Sequence, residues 1–155
     1  MSDARWFDVE EDVKSAVGHF SKSVRIFELG GFDGSDLPAY IARMALMQSM
    51  QAGYTSLGSA FERILEMIGE EKPAGANYHA DLLRRVSRDI PDSRPAIIDG
   101  ELAEAADEAR RFRHVARKSY DGFHVERAAS AVKAAALIRD RVAMAIGVFR
   151  SEIEG

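Results

Sequence analysis

The stretch that decides the fold lies between Pro38 and Pro73, where residues 40–69 read YIARMALMQSMQAGYTSLGSAFERILEMIG. Its large apolar residues recur at steps of three and four, the spacing that puts side chains on one face of an α-helix. This apolar face consists of Tyr40, Met44, Met47, Tyr54, Leu57, Phe61, Ile64 and Ile68. At about 1.5 Å per residue, the pattern predicts a helix about 50 Å long.

The segment before this helix predicts another one. Apolar residues at helical spacing end at Gly30 and Gly31, where left-handed backbone costs little. They are Trp6, Val9, Val13, Ala16, Phe20, Val24 and Phe27. After the turn, Ser35 or Asp36 is predicted to cap the long helix, with Pro38 in its first turn.

Three further helices are predicted after the long one. Asn77 is expected to begin a short helix that ends near Arg88, and Asp99 to cap a fourth helix that breaks at Gly122. The fifth runs from near Val125 to the C-terminus. Its apolar face consists of Val125, Ala128, Val132, Ala135, Ile138, Val142, Ala145 and Phe149.

No segment alternates apolar and polar residues as a half-buried strand does, so no sheet is predicted. The expected fold is all-α, an up-and-down helical bundle of four main helices plus one short helix. A chain of 155 residues is long enough for one complete core. We therefore predict a single domain over residues 1–155.

The composition of the chain excludes several classes of site and location. The chain has no cysteine, which excludes disulfides and thiolate zinc sites. The N-terminus lacks the apolar core of a signal peptide, and no run approaches the 18 apolar residues of a membrane helix, so a cytoplasmic protein is predicted. With a net charge of −4, any contact with nucleic acid should be local.

A basic segment interrupts this acidic chain. Residues 110–120 read RRFRHVARKSY and hold five positive charges and a histidine. On a helix, four of these residues project within about 80° of one another. They are Arg110, Arg113, Arg117 and Tyr120. Arginines arranged in this way can bind phosphate oxygens.

Charge alone also allows a simpler interpretation. Residues 99–108 carry five acids and residues 110–118 five bases, the order that a helix dipole favours. By that criterion the basic segment is the solvated end of a dipole-matched helix.

The sequence does not favour metal-dependent chemistry. Di-metal bundles need a glutamate three residues before a histidine, and neither this spacing nor a His-Glu-x-x-His motif occurs. No metal site is therefore predicted. There is also no glycine-rich phosphate loop. His19 and His79 are interpreted as ordinary helix histidines.

Residues 113–120, RHVARKSY, resemble the motif of the HEPN superfamily, specifically the HepT-like ribonuclease toxins. In that family the motif is an arginine, a polar residue, three more residues, a histidine, one residue and a tyrosine. Arg113, His114 and Tyr120 match, whereas Lys118 stands at the histidine position. Residues 102–120 also resemble the family's penultimate helix, 75–83 its short-helix signature and 54–64 its long helix.

The resemblance implies a metal-independent endoribonuclease without cofactors, in which two protomers face each other across a dimer cleft. The implied catalytic residues are Arg113, His114 and Lys118, with Arg110 and Arg117 binding phosphate. A lysine needs its pKa lowered by about 3.4 units, or about 4.6 kcal/mol, to be half deprotonated at pH 7. Weak or absent cleavage is therefore expected.

Three functions remain open. An active toxin would use His114 as its titrating group and Lys118 as a second phosphate cation. A degenerate member would keep the homodimer and its partner, in this family a nucleotidyltransferase-type antitoxin that in some members adenylylates the motif tyrosine, here Tyr120. Without the resemblance, the chain is a helical module whose basic face binds an acidic protein. We predict a toxin-antitoxin role with RNA as the ligand of the motif.

Overall fold

The computed structural model describes the backbone of residues 3–118 and 123–155 and the side chains of residues 4–115 and 123–155. Within these ranges the chain forms five helices and no strand, so the all-α prediction is confirmed. The helices are α1 (Asp3–Leu29), α2 (Leu37–Met67), α3 (Tyr78–Val86), α4 (Gly100–Lys118) and α5 (Val125–Glu154). None of these helices is long and apolar enough to cross a membrane.

The four long helices form a closed ring of contacts in the order α1, α2, α4, α5 and back to α1. The short α3 packs against α2 and α4. The core lies inside the ring, and its largest fully buried side chains include Trp6, Phe20, Tyr54, Phe61 and Phe149. The α2–α4 face that carries α3 is therefore opposite the α1–α5 face.

Local signals set the helix ends as the sequence predicted. The N–H of Ala39 donates to Oδ1 of Asp36 at 3.1 Å, and the N–H of Leu102 donates to Oδ1 of Asp99 at 2.8 Å. Gly30 follows α1 with a φ of 69°, the left-handed backbone that glycine adopts cheaply. Asn77 precedes α3 as expected, but its side chain makes no capping hydrogen bond.

The predicted apolar faces are buried along most of their length. Tyr40 and Val125 are exceptions, with 53% and 40% of their surface exposed. Both lie in the first turn of their helix, where the apolar face continues beyond the core. The predicted break at Gly122 lies outside the described residues.

A buried arginine holds the connection between α2 and α4. Arg94 is 6% exposed and forms a two-pronged ion pair with Glu70, which follows α2. It also donates to the backbone carbonyls of Arg85, Arg88 and Pro95 at 3.0–3.1 Å. These bonds join the end of α2, the end of α3 and the loop before α4, so they set where α3 lies in the bundle.

Candidate functional site

Arg113 lies on the face of α4 that turns toward α2. Its guanidinium carbon is 5.8 Å from the centre of the Tyr54 ring, within the range of a cation–π interaction. The side chain is partly buried, and its Nε atom is fully buried. Phe112 and Ala109 are buried on the same helix and fix its rotation. Arg113 is thus held against a buried ring.

Tyr54 forms the floor of this arrangement. It is 1% exposed, and its buried hydroxyl has no hydrogen-bond partner within the described part of the chain. Burial raises the pKa of Tyr54 well above its ordinary value, although the nearby charges of Arg110 and Arg113 lower it somewhat. Tyr54 therefore stays a neutral phenol whose ring faces a cation.

Two aromatic side chains from the start of α3 complete the group. The His79 ring meets the Tyr54 ring edge-on at 5.5 Å between centroids and the Tyr78 ring at 5.1 Å. Burial, with Glu62 as a hydrogen-bonding and charged neighbour, raises the pKa of Tyr78 above its ordinary value. We call Tyr54, Tyr78, His79 and Arg113 the Arg113 site.

The neighbouring arginines are engaged by acids of their own helix. Nε of Arg110 donates to Asp107 at 2.8 Å. Arg111 is exposed, donates to Glu108 at 2.7 Å and lies 3.6 Å from Asp107. The simpler interpretation of the basic segment, a helix whose own acids balance its bases, thus describes these two residues.

The other predicted site residues either lie outside the Arg113 site or have side chains outside the described residues. His114 is exposed and makes no hydrogen bond or ion pair with any side chain that the structure describes. Arg117 and Lys118 belong to the last turn of α4, but their side chains lie outside the described residues, as does all of Tyr120. Of the predicted set, only Arg110 and Arg113 are seen near Tyr54.

Sequence reasoning missed Tyr54 and His79 as site residues. Tyr54 was assigned to the apolar face of the long helix, which is correct but incomplete. His79 stands three, four and seven residues before Leu82, Leu83 and Val86, which are all buried. This spacing puts the histidine on the inner face of α3, and it was the one signal that could have distinguished it.

A groove of about 790 Å³ lies between α3, α4 and α5. Its cationic lining comprises Arg84, Arg110, Arg111 and Lys133, but its walls also carry the carboxylates of Glu101, Glu104, Asp107 and Glu108. Since the two signs are balanced, this groove does not favour an anion. Among the described side chains, no group of three histidines or acids could hold a metal ion.

A family model described as HepT-like protein matches residues 45–153. The chain belongs to the HepT-like family. The expected resemblance is confirmed, and the match contains every member of the Arg113 site. Neither the curated proteins nor the solved structures gave a match. In this HepT-like chain, α1 and the first turns of α2 lie outside the matched residues.

Proposed function

We propose that this protein is the cytoplasmic RNA-binding member of a toxin-antitoxin pair, with weak, metal-independent endoribonuclease activity. The observation that carries the proposal is the position of Arg113, partly buried and held over the Tyr54 ring. The family supports a role of this kind, and the Arg113 site supports RNA as the ligand.

Arg113 suits a phosphodiester for two physical reasons. A guanidinium presents several donors in a fixed plane and forms charge-assisted hydrogen bonds with phosphate oxygens. A side chain already held by an aromatic ring loses less conformational freedom on binding. Arg111, by contrast, is exposed and paired with Glu108 and Asp107, so it contributes mainly to the diffuse charge of α4.

The expectation of weak cleavage comes from Lys118, which stands where the family motif has its histidine. An ammonium attracts phosphate, but it does not exchange a proton readily near pH 7. His114, the other titrating residue of the segment, is exposed and projects about 100° away from Arg113 around the helix. His114 is therefore not positioned beside Arg113 as a proton carrier.

A second candidate function is a non-catalytic helical homodimer that binds a nucleotidyltransferase-type antitoxin or another acidic protein. Exposed apolar side chains favour such protein contacts. Leu37, Tyr40 and Ile41 lie at the start of α2, with more than half of each surface exposed. On α5, Met144 and Val148 are 76% and 51% exposed, beside an apolar cleft of about 390 Å³ between α1 and α5. Tyr120 would be the residue that such an antitoxin adenylylates.

The test compares two variants of the same helix with the same change in charge. Binding of a labelled single-stranded RNA pool is measured with chelator present for the wild type, Arg113→Ala and Arg111→Ala. We expect Arg113→Ala to lose about tenfold or more in affinity, since a hydrogen bond to a charged group contributes about 1.5–3 kcal/mol. Arg111→Ala should lose about twofold, the scale of an exposed charge.

Thermal unfolding of both variants establishes that they are folded. Equal losses of affinity would mean diffuse attraction by α4 rather than a site. An absence of RNA binding by the wild type would favour the protein-binding alternative.

A further inference from the structure

We propose that His79 supplies the imidazole of the Arg113 site and accepts the proton of the ribose 2′-hydroxyl during cleavage. The inference rests on the proposed function, and it names a residue of α3 rather than one of the basic segment. It would account for the proposed weak RNA cleavage in a chain that has Lys118 at the position of the motif histidine.

The inference depends on two contacts with the ring of Tyr54. Arg113 and His79 both lie against this one ring, with centres 5.8 Å and 5.5 Å from its centroid. Their separation therefore cannot exceed the sum of the two distances. That limit is short enough for one ribose and its 3′-phosphate to contact both groups.

The packing of His79 suits a positioned group. Its ring is partly buried with Nδ1 fully buried, and it is braced by Tyr54 and Tyr78. The bonds from Arg94 to the carbonyls of Arg85 and Arg88 hold the C-terminal end of α3 in place. His79 therefore has a defined orientation, and its side chain is only partly buried.

The other described histidines lack this placement. His114 is exposed on α4, His124 is exposed just before α5, and His19 lies on α1, away from the α2–α4 face. Within the described residues, none of these three rings contacts the ring of Tyr54. An imidazole has an ordinary pKa of about 6.5, so it exchanges protons near neutrality as a general base must.

The charged neighbourhood of the shared ring is mixed. Glu62 on α2 and Asp107 on α4 contribute negative charge near Tyr54, whereas Arg110 and Arg113 contribute positive charge. Tyr54 and Tyr78 remain neutral, because the pKa of each is raised. The Arg113 guanidinium and the His79 imidazole therefore border one neutral ring, in surroundings that carry both signs of charge.

The step balances without a co-reactant. The 2′-oxygen forms a bond to phosphorus as its proton passes to the imidazole of His79, and the bond from phosphorus to O5′ breaks. The leaving O5′ takes a proton from solvent, and the imidazolium returns its proton to solvent. The products are a 2′,3′-cyclic phosphate and a 5′-hydroxyl. Arg113 stabilises the negative charge that develops on the phosphate oxygens.

The experiment separates cleavage from binding. Cleavage of a short RNA oligonucleotide and binding of its 2′-deoxy counterpart, which lacks the attacking hydroxyl, are measured with chelator present. We expect His79→Gln to slow cleavage by about 100-fold, since a positioned general base contributes about 10²–10⁴-fold. Its affinity for the deoxy oligonucleotide should stay within about twofold of the wild type, because the Arg113 contact remains. The matched control, His19→Gln on α1, should leave both quantities unchanged.

A second variant tests for a purely structural role. We expect added imidazole to restore cleavage by His79→Ala, whereas pyrazole, a ring of the same size that is not basic near pH 7, should not. Cleavage that imidazole does not restore would overturn the inference. Loss of cleavage in His114→Gln together with full activity in His79→Gln would overturn it in favour of His114.

The failures of the two proposals are distinguishable. A wild-type protein that binds RNA through Arg113 but does not cleave it would overturn the role of His79 and leave RNA binding intact. A wild-type protein that binds neither oligonucleotide would overturn the proposed function itself.

Discussion

The ring of Phe20 lies directly against the backbone of Gly53, where a Cβ atom would come within 2.7 Å of the ring's Cε1 atom and 2.8 Å of its Cδ1 atom. α1 and α2 therefore pack closely at a position where one residue has no side chain. Glycine inside a helix costs about 1 kcal/mol relative to alanine. The contact with Phe20 explains why alanine would not be better here.

We predict that Gly53→Ala lowers the free energy of unfolding by about 1–3 kcal/mol, because the added methyl group displaces a fully buried ring. Gly58→Ala is the matched control. It lies on the same helix, and a Cβ there would meet nothing within 4 Å. This control should raise the free energy by about 0.5–1 kcal/mol through helix propensity. Urea unfolding measures both, and equal effects would contradict the role of Phe20.

The ion pair between Glu70 and Arg94 predicts a dependence of stability on pH. The hydrogen bond from Arg94 lowers the pKa of Glu70 below its ordinary value. The stabilisation is therefore fully present above the unfolded pKa, about 4.3, and is lost as pH falls through the lower folded pKa. We expect the stability of Glu70→Gln to fall less than that of the wild type between pH 5 and pH 3.

Chemical unfolding at each pH measures this difference. Glu152→Gln, which removes an exposed carboxylate of α5, is the control and should follow the wild type. Parallel curves for the wild type and Glu70→Gln would show that the pair does not couple folding to protonation.

Variants of Tyr54 separate the contribution of its ring to RNA binding from that of its hydroxyl group. Its buried hydroxyl lacks a hydrogen-bond partner among the described residues, and such a group costs about 1–3 kcal/mol. Tyr54→Phe should therefore be as stable as the wild type or more stable, and it should keep its RNA affinity. Tyr54→Leu removes the ring beneath Arg113 and should weaken RNA binding by about 2- to 30-fold, equivalent to a cation–π interaction of about 0.5–2 kcal/mol. A loss of binding in Tyr54→Phe would assign the effect to the hydroxyl.

Replacement of Lys118 tests the missing motif histidine. We predict that the wild type cleaves RNA weakly and that Lys118→His raises cleavage measurably, because imidazole exchanges a proton near pH 7 and an ammonium does not. The assay compares the wild type, Lys118→His and His114→Ala on a mixed RNA pool with chelator present. Strong chelator-resistant cleavage by the wild type, abolished in His114→Ala, would contradict the prediction.

A symmetric homodimer is expected, with the Arg113 side chains of both protomers in one groove. The interface should then include α2 and α4, and Ile41 near the start of α2 is an exposed apolar residue, with 56% of its surface exposed. We predict that light scattering at micromolar concentration shows a dimer for the wild type and for Met144→Asp on the α1–α5 face, and a monomer for Ile41→Asp. A wild-type monomer would contradict the dimer, and a monomeric Met144→Asp would place the interface on the other face.

The helices were predictable because their signals are local. Asp36 and Asp99 each accept a hydrogen bond from the backbone N–H three residues further along the chain. An apolar spacing of three and four residues can likewise be recognised within a single helix. Tyr40 was placed wrongly because periodicity shows which face a residue occupies, but not how far the neighbouring helices extend beside it. Arg113 could be chosen as a candidate because the basic segment and its motif are contiguous.

The sequence by itself determined the five helices, the caps at Asp36 and Asp99, the family and the arginine at the centre of the candidate site. Only the tertiary structure decided that Arg113 and His79 both lie against the ring of Tyr54. These side chains come from α2, α3 and α4, and their contacts depend on how α3 packs against two longer helices. The pairing of Glu70 with the buried Arg94 sets that packing. The periodicity of one helix does not show which distant residue pairs with a buried charge.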